Sequence, residues 1–256
     1  QSTASGIHGL VSCSEWTGVP LAILLEEAGM RKEAKWIIAE GADAAAMSRS
    51  VPIEKALDDA VVALYQNGER LRPSNGYPMR LLLPGWEGNA NVKWLRRIQV
   101  SSSPAMTKDE TSKYTDLLPD GRASMFSFPM GVKSVITSPS GKYTMQGPGL
   151  YQISGLAWSG AGKIRRVEVS ADGGQSWGKA ALSEPVLSKA LVRFRMPWRW
   201  NGGPAVLQSR AIDETGAIQP KREALLGKRG TNYRYHYHAI QSWNVGSNGE
   251  VANVYA

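Results

Sequence analysis

Apolar residues in the first 123 positions recur with both helical and strand-like spacing. The stretch WTGVPLAILLEEAG (16–29) places Pro20 at the start of an amphipathic segment and Gly29 after its last apolar residue, which predicts a short helix. Other apolar runs predict a second helix at 53–58 and buried strands at 36–40, 61–65, 81–83 and 92–100. The mixture of helices and strands predicts an α+β domain over residues 1–123.

From about residue 125 the pattern changes to short β-type runs separated by Gly, Pro, Asp and Asn. The segment Asp172-Gly173-Gly174 predicts a tight hairpin turn between two of these runs. The candidate strands are 132–137, 150–159, 165–170, 177–182, 191–198, 206–213 and 236–244. Seven short strands of this kind predict an Ig-like β-sandwich over 124–256, and the turn-rich stretch 116–124 is the expected linker.

Charge and composition narrow the classes of partner. The net charge of +8 predicts attraction to anions, but the basic residues are scattered along the chain rather than gathered in one stripe. A nucleic-acid-binding protein more often has a basic stripe with interleaved aromatic residues, so small anions or an acidic protein are favoured. Because every apolar run is far shorter than the ~18 residues of a membrane helix, no membrane span is expected.

Cys13 and the three histidines are the candidate metal ligands outside any motif. As the single cysteine, Cys13 excludes an internal disulfide, and a buried small apolar residue is favoured over a metal ligand because a free cysteine most often packs as a small hydrophobe. His236 and His238 are two apart, so on a strand they would point to the same face, as in some zinc sites. With no third ligand near them in the sequence, hydrogen-bonded strand histidines are the favoured interpretation.

The stretch NGYPMRLLLPGWEGNANVKWLRRIQV (75–100) carries the clearest chemical signal. Its glycines allow close approach of the backbone to a ligand, and its prolines fix where the chain turns away. Arg80 offers a planar set of donors suited to phosphate, and Lys93 offers a point charge. The alternative is that both are solvated charges at strand ends, with Trp94 in the core.

This stretch resembles the pterin-binding core of the sulfite oxidase family of molybdenum enzymes. The second half is similar to the dimerisation domain of that family in GLAWSG (155–160), VEVSADGGQSW (167–177), RAIDETGAIQP (210–220) and KRG (228–230). Within the family, SEWTGVPL (14–21), MTKDETSKYTDLLPDGR (106–122) and YHYHAIQSW (235–243) most resemble the molybdenum subunit of Sox-type sulfane dehydrogenases. The resemblance implies a molybdopterin-binding domain over 1–123, partial at its N-terminus, followed by an Ig-like dimerisation domain over 124–256.

The resemblance also implies roles for individual residues around a molybdenum cofactor. Tyr114 matches the active-site tyrosine of the family, and Arg229 matches the arginine that the second domain sends into the substrate pocket; packing at a domain junction and a surface charge are their respective alternatives. Asn75 stands where the family has a histidine, so a proton-transfer role there is in doubt. The expected cofactor contacts are Asn75, Arg80, Asn91, Val92, Lys93 and His8.

The metal-ligand cysteine of the family belongs to a Cys-x-Gly-Asn type motif. That motif is absent from this sequence, so the ligand is expected upstream of Gln1 and the metal site of the chain is expected to be incomplete.

The activity implied by the resemblance is the oxidation of a sulfur compound, either protein-bound sulfane sulfur or a small sulfur oxyanion. The electrons would pass to a c-type cytochrome in the periplasm, and the protein would be a homodimer through its second domain or a heterotetramer with the cytochrome. Sulfite dehydrogenase is the alternative enzyme, methionine-sulfoxide reductase is less favoured, and a non-catalytic assembly module is the alternative from another class. Trp158, Trp198 and Trp200 are expected to expose indole for self-association, unless all three are internal.

Overall fold

The computed structural model of the protein describes residues 2–231 and 235–255. The chain forms two compact units, of which the first comprises Ser14–Pro129 and the second comprises Gln1–Cys13 together with Met130–Ala256.

The first unit is α+β, as the sequence predicts. Its strands are β1 (Trp16–Pro20), β2 (Trp36–Gly41), β3 (Ser48–Pro52), β4 (Val61–Gln66), β5 (Glu69–Arg70), β6 (Arg80–Leu82), β7 (Leu95–Ser101), β8 (Asp116–Leu117) and β9 (Ala123–Ser124). Its helices are α2 (Leu21–Glu27), α3 (Ile53–Asp58), α4 (Lys108–Lys113) and two 3-10 turns, Pro73–Asn75 and Gly88–Ala90. The label α1 belongs to the second unit.

Two small antiparallel sheets organise this unit. In one, β4 pairs with β1, β5 and β6, and in the other β2 lies between β3 and β7. The core between them is aliphatic and includes Leu21, Ile37, Val51, Leu81 and Leu83. Because Pro20 precedes α2 and Gly29 follows it with φ of 68°, this predicted helix is confirmed nearly residue for residue.

The second unit is a sandwich of two antiparallel sheets with two short helices, one ahead of the first strand and one between two later strands. Its helices are α1 (Ala4–His8) and α5 (Arg222–Arg229). Its strands are β10 (Lys133–Ser138), β11 (Gly149–Trp158), β12 (Ile164–Ser170), β13 (Gly178–Lys179), β14 (Ala181–Leu182), β15 (Val192–Trp200), β16 (Ala205–Asp213), β17 (Ser242–Val245) and β18 (Val251–Val254).

The two sheets of the sandwich have the strand orders β10-β11-β15-β14 and β13-β12-β16-β17-β18. Inward-facing residues of both sheets, among them Ile153, Phe194, Leu207 and Trp243, form one buried cluster. The predicted Ig-like sandwich is confirmed. Trp158 and Trp200 are only 5 % and 3 % exposed, so the expectation that they present indole for self-association is wrong for these two residues.

The division between the compact units differs from the expected boundary at 123/124. Phe126 and Phe128 remain with the first unit because their rings pack against Trp36, and Phe128 also stacks on Trp86 with centroids 4.4 Å apart. Residues 2–13 join the second unit because Ala4 is buried in the core of the sandwich.

Two predicted strands start later than expected. The run 92–100 becomes strand only at Leu95, because Trp94 has φ of 51° and therefore breaks the extended conformation. The run 236–244 becomes strand only at Ser242, and His236 has φ of 45°. The interpretation of His236 and His238 as strand residues is therefore wrong.

No helix within 2–231 or 235–255 is long and apolar enough to cross a membrane.

Candidate functional site

The loop from 73 to 94 in the first unit folds back on itself around Gly76. This glycine has φ of 108°, a conformation that other residues rarely adopt. A Cβ atom here would lie 3.0 Å from Cβ of Lys93 and 3.2 Å from Cβ of Arg80. Glycine at this position therefore allows the two cationic residues of the motif to pack on either side of the same turn.

Arg80 closes this turn from the interior. Its Nη1 donates to the carbonyl of Asn75 at 3.1 Å and its Nη2 donates to the carbonyl of Asn91 at 3.0 Å. The guanidinium lies over the ring of Trp16, 5.0 Å from the centroid, and burial lowers its pKa. Its Nε is buried and has no hydrogen-bond acceptor among the described residues. Arg80 is thus a clamp on the loop rather than a solvated charge.

Lys93 and Asn75 lie on the outer side of the same turn. Lys93 donates from Nζ to the carbonyl of Ser74 at 3.0 Å, and its ammonium lies 4.5 Å from the centroid of the Trp94 ring. The indole of Trp94 donates to the carbonyl of Pro73 at 2.9 Å, which fixes the ring. Asn75 donates from Nδ2 to the side-chain oxygen of Gln66. The predicted cofactor contacts Asn75, Arg80 and Lys93 are therefore brought together.

A polar cavity of about 330 Å³ opens beside this turn. It is lined by Gln66, Asn67, Glu69, Arg70, Arg72, Ser74 and Asn75. The two arginines, the amides and the serine hydroxyl make it rich in hydrogen-bond donors. Such a lining suits an anionic, polar ligand.

Asn91 and Val92, the other predicted contacts from this loop, are both buried. Asn91 accepts from the backbone of Leu83 at 2.7 Å and donates to the carbonyl of Glu87 at 2.9 Å. Val92 belongs to the aliphatic core, and its carbonyl accepts from Leu81 at 2.9 Å. Their side chains hold the loop together, and only their backbone groups could face a ligand.

A buried polar network extends from this loop to Tyr114. Nδ2 of Asn89 donates to Glu87 at 3.0 Å, and Nη2 of Arg49 donates to Oδ1 of Asn89. The Arg49 guanidinium lies 4.3 Å from the centroid of the Tyr114 ring. Tyr114 follows α4 directly and is half-buried. The predicted catalytic tyrosine is thus positioned by a fully buried arginine.

Burial raises the pKa of the Glu87 carboxyl to about 7, although hydrogen bonds from Ser127 and Asn89 act in the opposite direction. Glu87 therefore exchanges its proton near neutral pH, within the network that links the loop to Tyr114.

The pH dependence of the free energy of unfolding should reflect the titration of Glu87. The ordinary pKa is 4.5, so between pH 4.5 and about 7 the folded protein holds a proton on Glu87 that the unfolded chain releases. The free energy of unfolding should therefore fall as the pH rises through this window, by up to roughly 3 kcal/mol. Urea unfolding of Glu87→Gln at pH 5, 6, 7 and 8 should lack this decline; an identical decline in both proteins would contradict the assignment.

Arg229 and His8, the remaining predicted site residues, lie in the second unit. Arg229 is half-buried in the last turn of α5. Burial lowers the pKa of His238, and the positive charges of Lys133 and Arg229 lower it further. Arg229 is therefore close to a neutral imidazole in the loop that follows α5.

His8 ends α1, which packs against β10, and lies near the imidazole of His236. Burial, with the charge of Lys133 and the neighbouring His236, lowers its pKa to about 3. The rings of His236 and His238 stack with centroids 5.9 Å apart, and Nε2 of His236 contacts the carbonyl of Gly131 at 3.0 Å. The expected contact of His8 with a pterin stays a prediction.

No group of three His, Cys, Asp or Glu side chains within 2–231 and 235–255 could hold a metal ion. Cys13 is exposed, so the expectation of a buried small residue there is wrong.

The sequence did not reveal the buried residues that support Tyr114 and the start of α4. Arg49 and Glu110 are both 0 % exposed. Glu110 accepts from the backbone and hydroxyl of Ser50 and from the backbone of Thr107 at 3.0 Å, which secures the start of α4. Only a TKDE capping box (107–110) indicated a helix here, and nothing local indicated a partner 60 residues away.

Both units match known protein domains. Residues 2–108 match the oxidoreductase molybdopterin binding domain, and residues 125–242 match the Mo-co oxidoreductase dimerisation domain. The crystal structure of the sulfane dehydrogenase SoxCD from Paracoccus pantotrophus is similar over 94 % of this chain and 62 % of that chain, with 52 % identity and a TM-score of 0.90.

Curated relatives include two kinds of enzyme. NADH nitrate reductase from Solanum lycopersicum is 31 % identical over 83 % of this chain and 27 % of its own length. Mitochondrial sulfite oxidase from Drosophila melanogaster is 31 % identical over 84 % of this chain and 42 % of its own length. The chain therefore spans less than half the length of these relatives.

The predicted family, fold and cofactor are confirmed, because two family domains occur in order and a solved structure matches both units. The chain belongs to the sulfite oxidase family of molybdopterin-dependent oxidoreductases, whose cofactor is the molybdenum cofactor.

Proposed function

We propose that the protein oxidises protein-bound sulfane sulfur and passes the electrons to a c-type cytochrome. The observation that carries this proposal is the likeness to a sulfane dehydrogenase, at 52 % identity over 94 % of the chain. The identities to nitrate reductase and sulfite oxidase are both 31 %. Sulfite dehydrogenase is the second candidate, because sulfite oxidase is among the relatives.

The described residues fit the phosphate-bearing part of a molybdopterin. The buried Nε of Arg80 has no acceptor among them, and the adjoining cavity presents Arg70 together with Arg72, which pairs with Glu69 at 3.2 Å. Asn75, Arg80 and Lys93 would hold the pterin, with backbone groups of Asn91 and Val92 alongside. When bound, the molybdenum supplies two-electron oxidation with water as the oxygen source.

The protein groups then have separate tasks. Lys93 and Arg80 neutralise the anionic cofactor, and the loop around Gly76 keeps them in place. Tyr114 would donate a hydrogen bond to substrate oxygen, and its ring is held by the guanidinium of Arg49. Arg229 would bind the sulfur oxyanion through its planar donors.

Replacing Arg229 by Gln should raise the KM for a sulfur oxyanion about tenfold or more, because a charge-assisted hydrogen bond is lost. The protein loaded with cofactor is assayed with sulfite while cytochrome c reduction is followed. Lys228→Gln is the matched control, since Lys228 is the exposed neighbour on the same helix. An unchanged KM in Arg229→Gln would remove this residue from the substrate pocket.

The preferred substrate is tested with a panel of compounds. A cysteine persulfide peptide, sulfite, methionine sulfoxide and nitrate are compared with the same loaded protein, the first two as electron donors and the last two as acceptors. The persulfide peptide should give the highest kcat/KM. A higher value for sulfite would replace the proposal by sulfite dehydrogenase, and no turnover with any of them would favour the non-catalytic assembly module.

We further propose a periplasmic protein that self-associates through its second unit and works with a cytochrome and a sulfur-carrier protein. The support is the match to a dimerisation domain and the likeness to the crystal structure of the sulfane dehydrogenase SoxCD.

A further inference from the structure

One face of the sandwich carries a row of arginines along β15. Burial alternates along this strand, with Val192, Phe194 and Trp200 inside, and the exposed residues between them include Arg193, Arg195 and Arg199. Same-face side chains on a strand recur about every 6.6 Å, so Arg193 and Arg195 are neighbours in one row, and Arg199 follows in the same row at about twice that spacing, beyond Pro197. We call these three residues the arginine ladder.

Among the described residues, no carboxylate pairs with the arginine ladder. Within the described residues, none of its three side chains forms an ion pair or hydrogen bond. Across the strand pairs, Arg193 lies opposite Leu156, Arg195 opposite Ser154 and Arg199 opposite Leu150. The ladder therefore faces neutral neighbours, and its like charges repel one another.

On the opposite sheet, two arginines form ion pairs with a carboxylate. Arg166 and Arg210 flank Glu168, with contacts of 3.1 and 2.6 Å to its carboxylate. Arg166 and Arg210 thus share one carboxylate within the unit, whereas the ladder leaves a row of donors for an external acceptor.

The surroundings of the ladder indicate the kind of acceptor. Leu150 is 69 % exposed beside Arg199, and Pro197 lies exposed between two ladder residues. Exposed apolar groups with arginine are typical of protein interfaces. Stacking of nucleic-acid bases needs aromatic rings, and the outward positions of β15 hold none: Trp198 and Trp200 belong to its inward side.

The helix α1 leaves the ladder open. It packs against β10, at the far edge of the same sheet, and lines a groove of about 450 Å³ together with Val135 and Leu156, the cross-strand neighbour of Arg193. The strand order β10-β11-β15-β14 separates the ladder from that edge by one strand.

We propose that the arginine ladder is a docking surface for an acidic face of a second protein, whose carboxylates recur along a strand or helix at matching spacing. A second copy of this chain is disfavoured, because two ladders would bring six guanidinium groups together. The proposal does not depend on which sulfur compound is oxidised.

The test uses the full chain and a labelled nine-residue peptide with Glu at every second position. At about 20 mM salt, fluorescence anisotropy should show binding that weakens as salt increases. The triple variant Arg193→Glu, Arg195→Glu and Arg199→Glu should weaken it roughly tenfold or more. The matched control changes the exposed residues Lys142, Arg165 and Lys179 to Glu, with the same change in net charge, and should retain binding within about threefold.

Four outcomes would overturn the proposal. They are equal losses in the two triple variants, no loss in the ladder variant, tighter ladder-dependent binding of a single-stranded oligonucleotide, and sedimentation in which the ladder variant loses a dimer that the control keeps. If the charge reversal prevents folding, the Arg→Gln triple variant is used, and it should also weaken peptide binding. A sulfur-oxidation assay on the same variants separates this result from the proposed function, since activity with a small substrate should be unchanged.

Discussion

Replacing Arg49 by methionine is expected to lower the free energy of unfolding of the first unit by about 3 kcal/mol. Arg49 is fully buried, donates to Asn89 and stacks on the ring of Tyr114. Methionine keeps much of the volume but removes the donors, so Asn89 would lose a partner in the interior. The nearby Glu87 would also lose a stabilising positive charge.

Urea unfolding at pH 7 measures this effect, with Arg31→Met as the control. Arg31 is exposed, and substitution there should change the free energy of unfolding by less than about 0.5 kcal/mol. A loss below about 1 kcal/mol in Arg49→Met would show that the buried network does not hold the site.

Replacing Lys93 by methionine should reduce cofactor occupancy about tenfold or more when cofactor is limiting, because a cation is removed from the turn that faces the polar cavity. Lys93 is half-buried, and its ammonium contacts the carbonyl of Ser74 and the face of the Trp94 ring. Stability should change little, since the apolar stem of the side chain is kept.

Cofactor occupancy is measured as pterin fluorescence after oxidative release, per mole of protein. Lys32→Met is the matched control, since Lys32 is an exposed lysine of the same unit, and it should keep wild-type occupancy. Equal occupancy in Lys93→Met and the control would exclude Lys93 from the cofactor site.

Local signals in the sequence were sufficient for most of the fold. Pro20 and Gly29 delimit α2, and the regular alternation along β15 follows from its sequence VRFRMPWRW (192–200). The family motif also located the turn at Gly76, which needs a conformation open to glycine. These features depend on residues that are close in the sequence, so they could be predicted from the sequence alone.

Long-range contacts account for what was not predicted. Arg49 and Asn89 are 40 residues apart, and nothing near either position marks a buried pair. The strand expected at 92 begins only at Leu95, because the indole of Trp94 is fixed by the carbonyl of Pro73 and the backbone there takes a positive φ. The effect of Lys133 and His236 on the pKa of His8 likewise depends on tertiary folding, since both are more than 100 residues away in the sequence.

The most direct test of the account is the pterin and molybdenum content of the protein purified from cells that make the molybdenum cofactor. The loop around Gly76, the clamp of Arg80 and the adjoining cavity predict close to one pterin per chain, with occupancy that falls in Lys93→Met and not in Lys32→Met. A folded protein without any bound pterin would contradict the account.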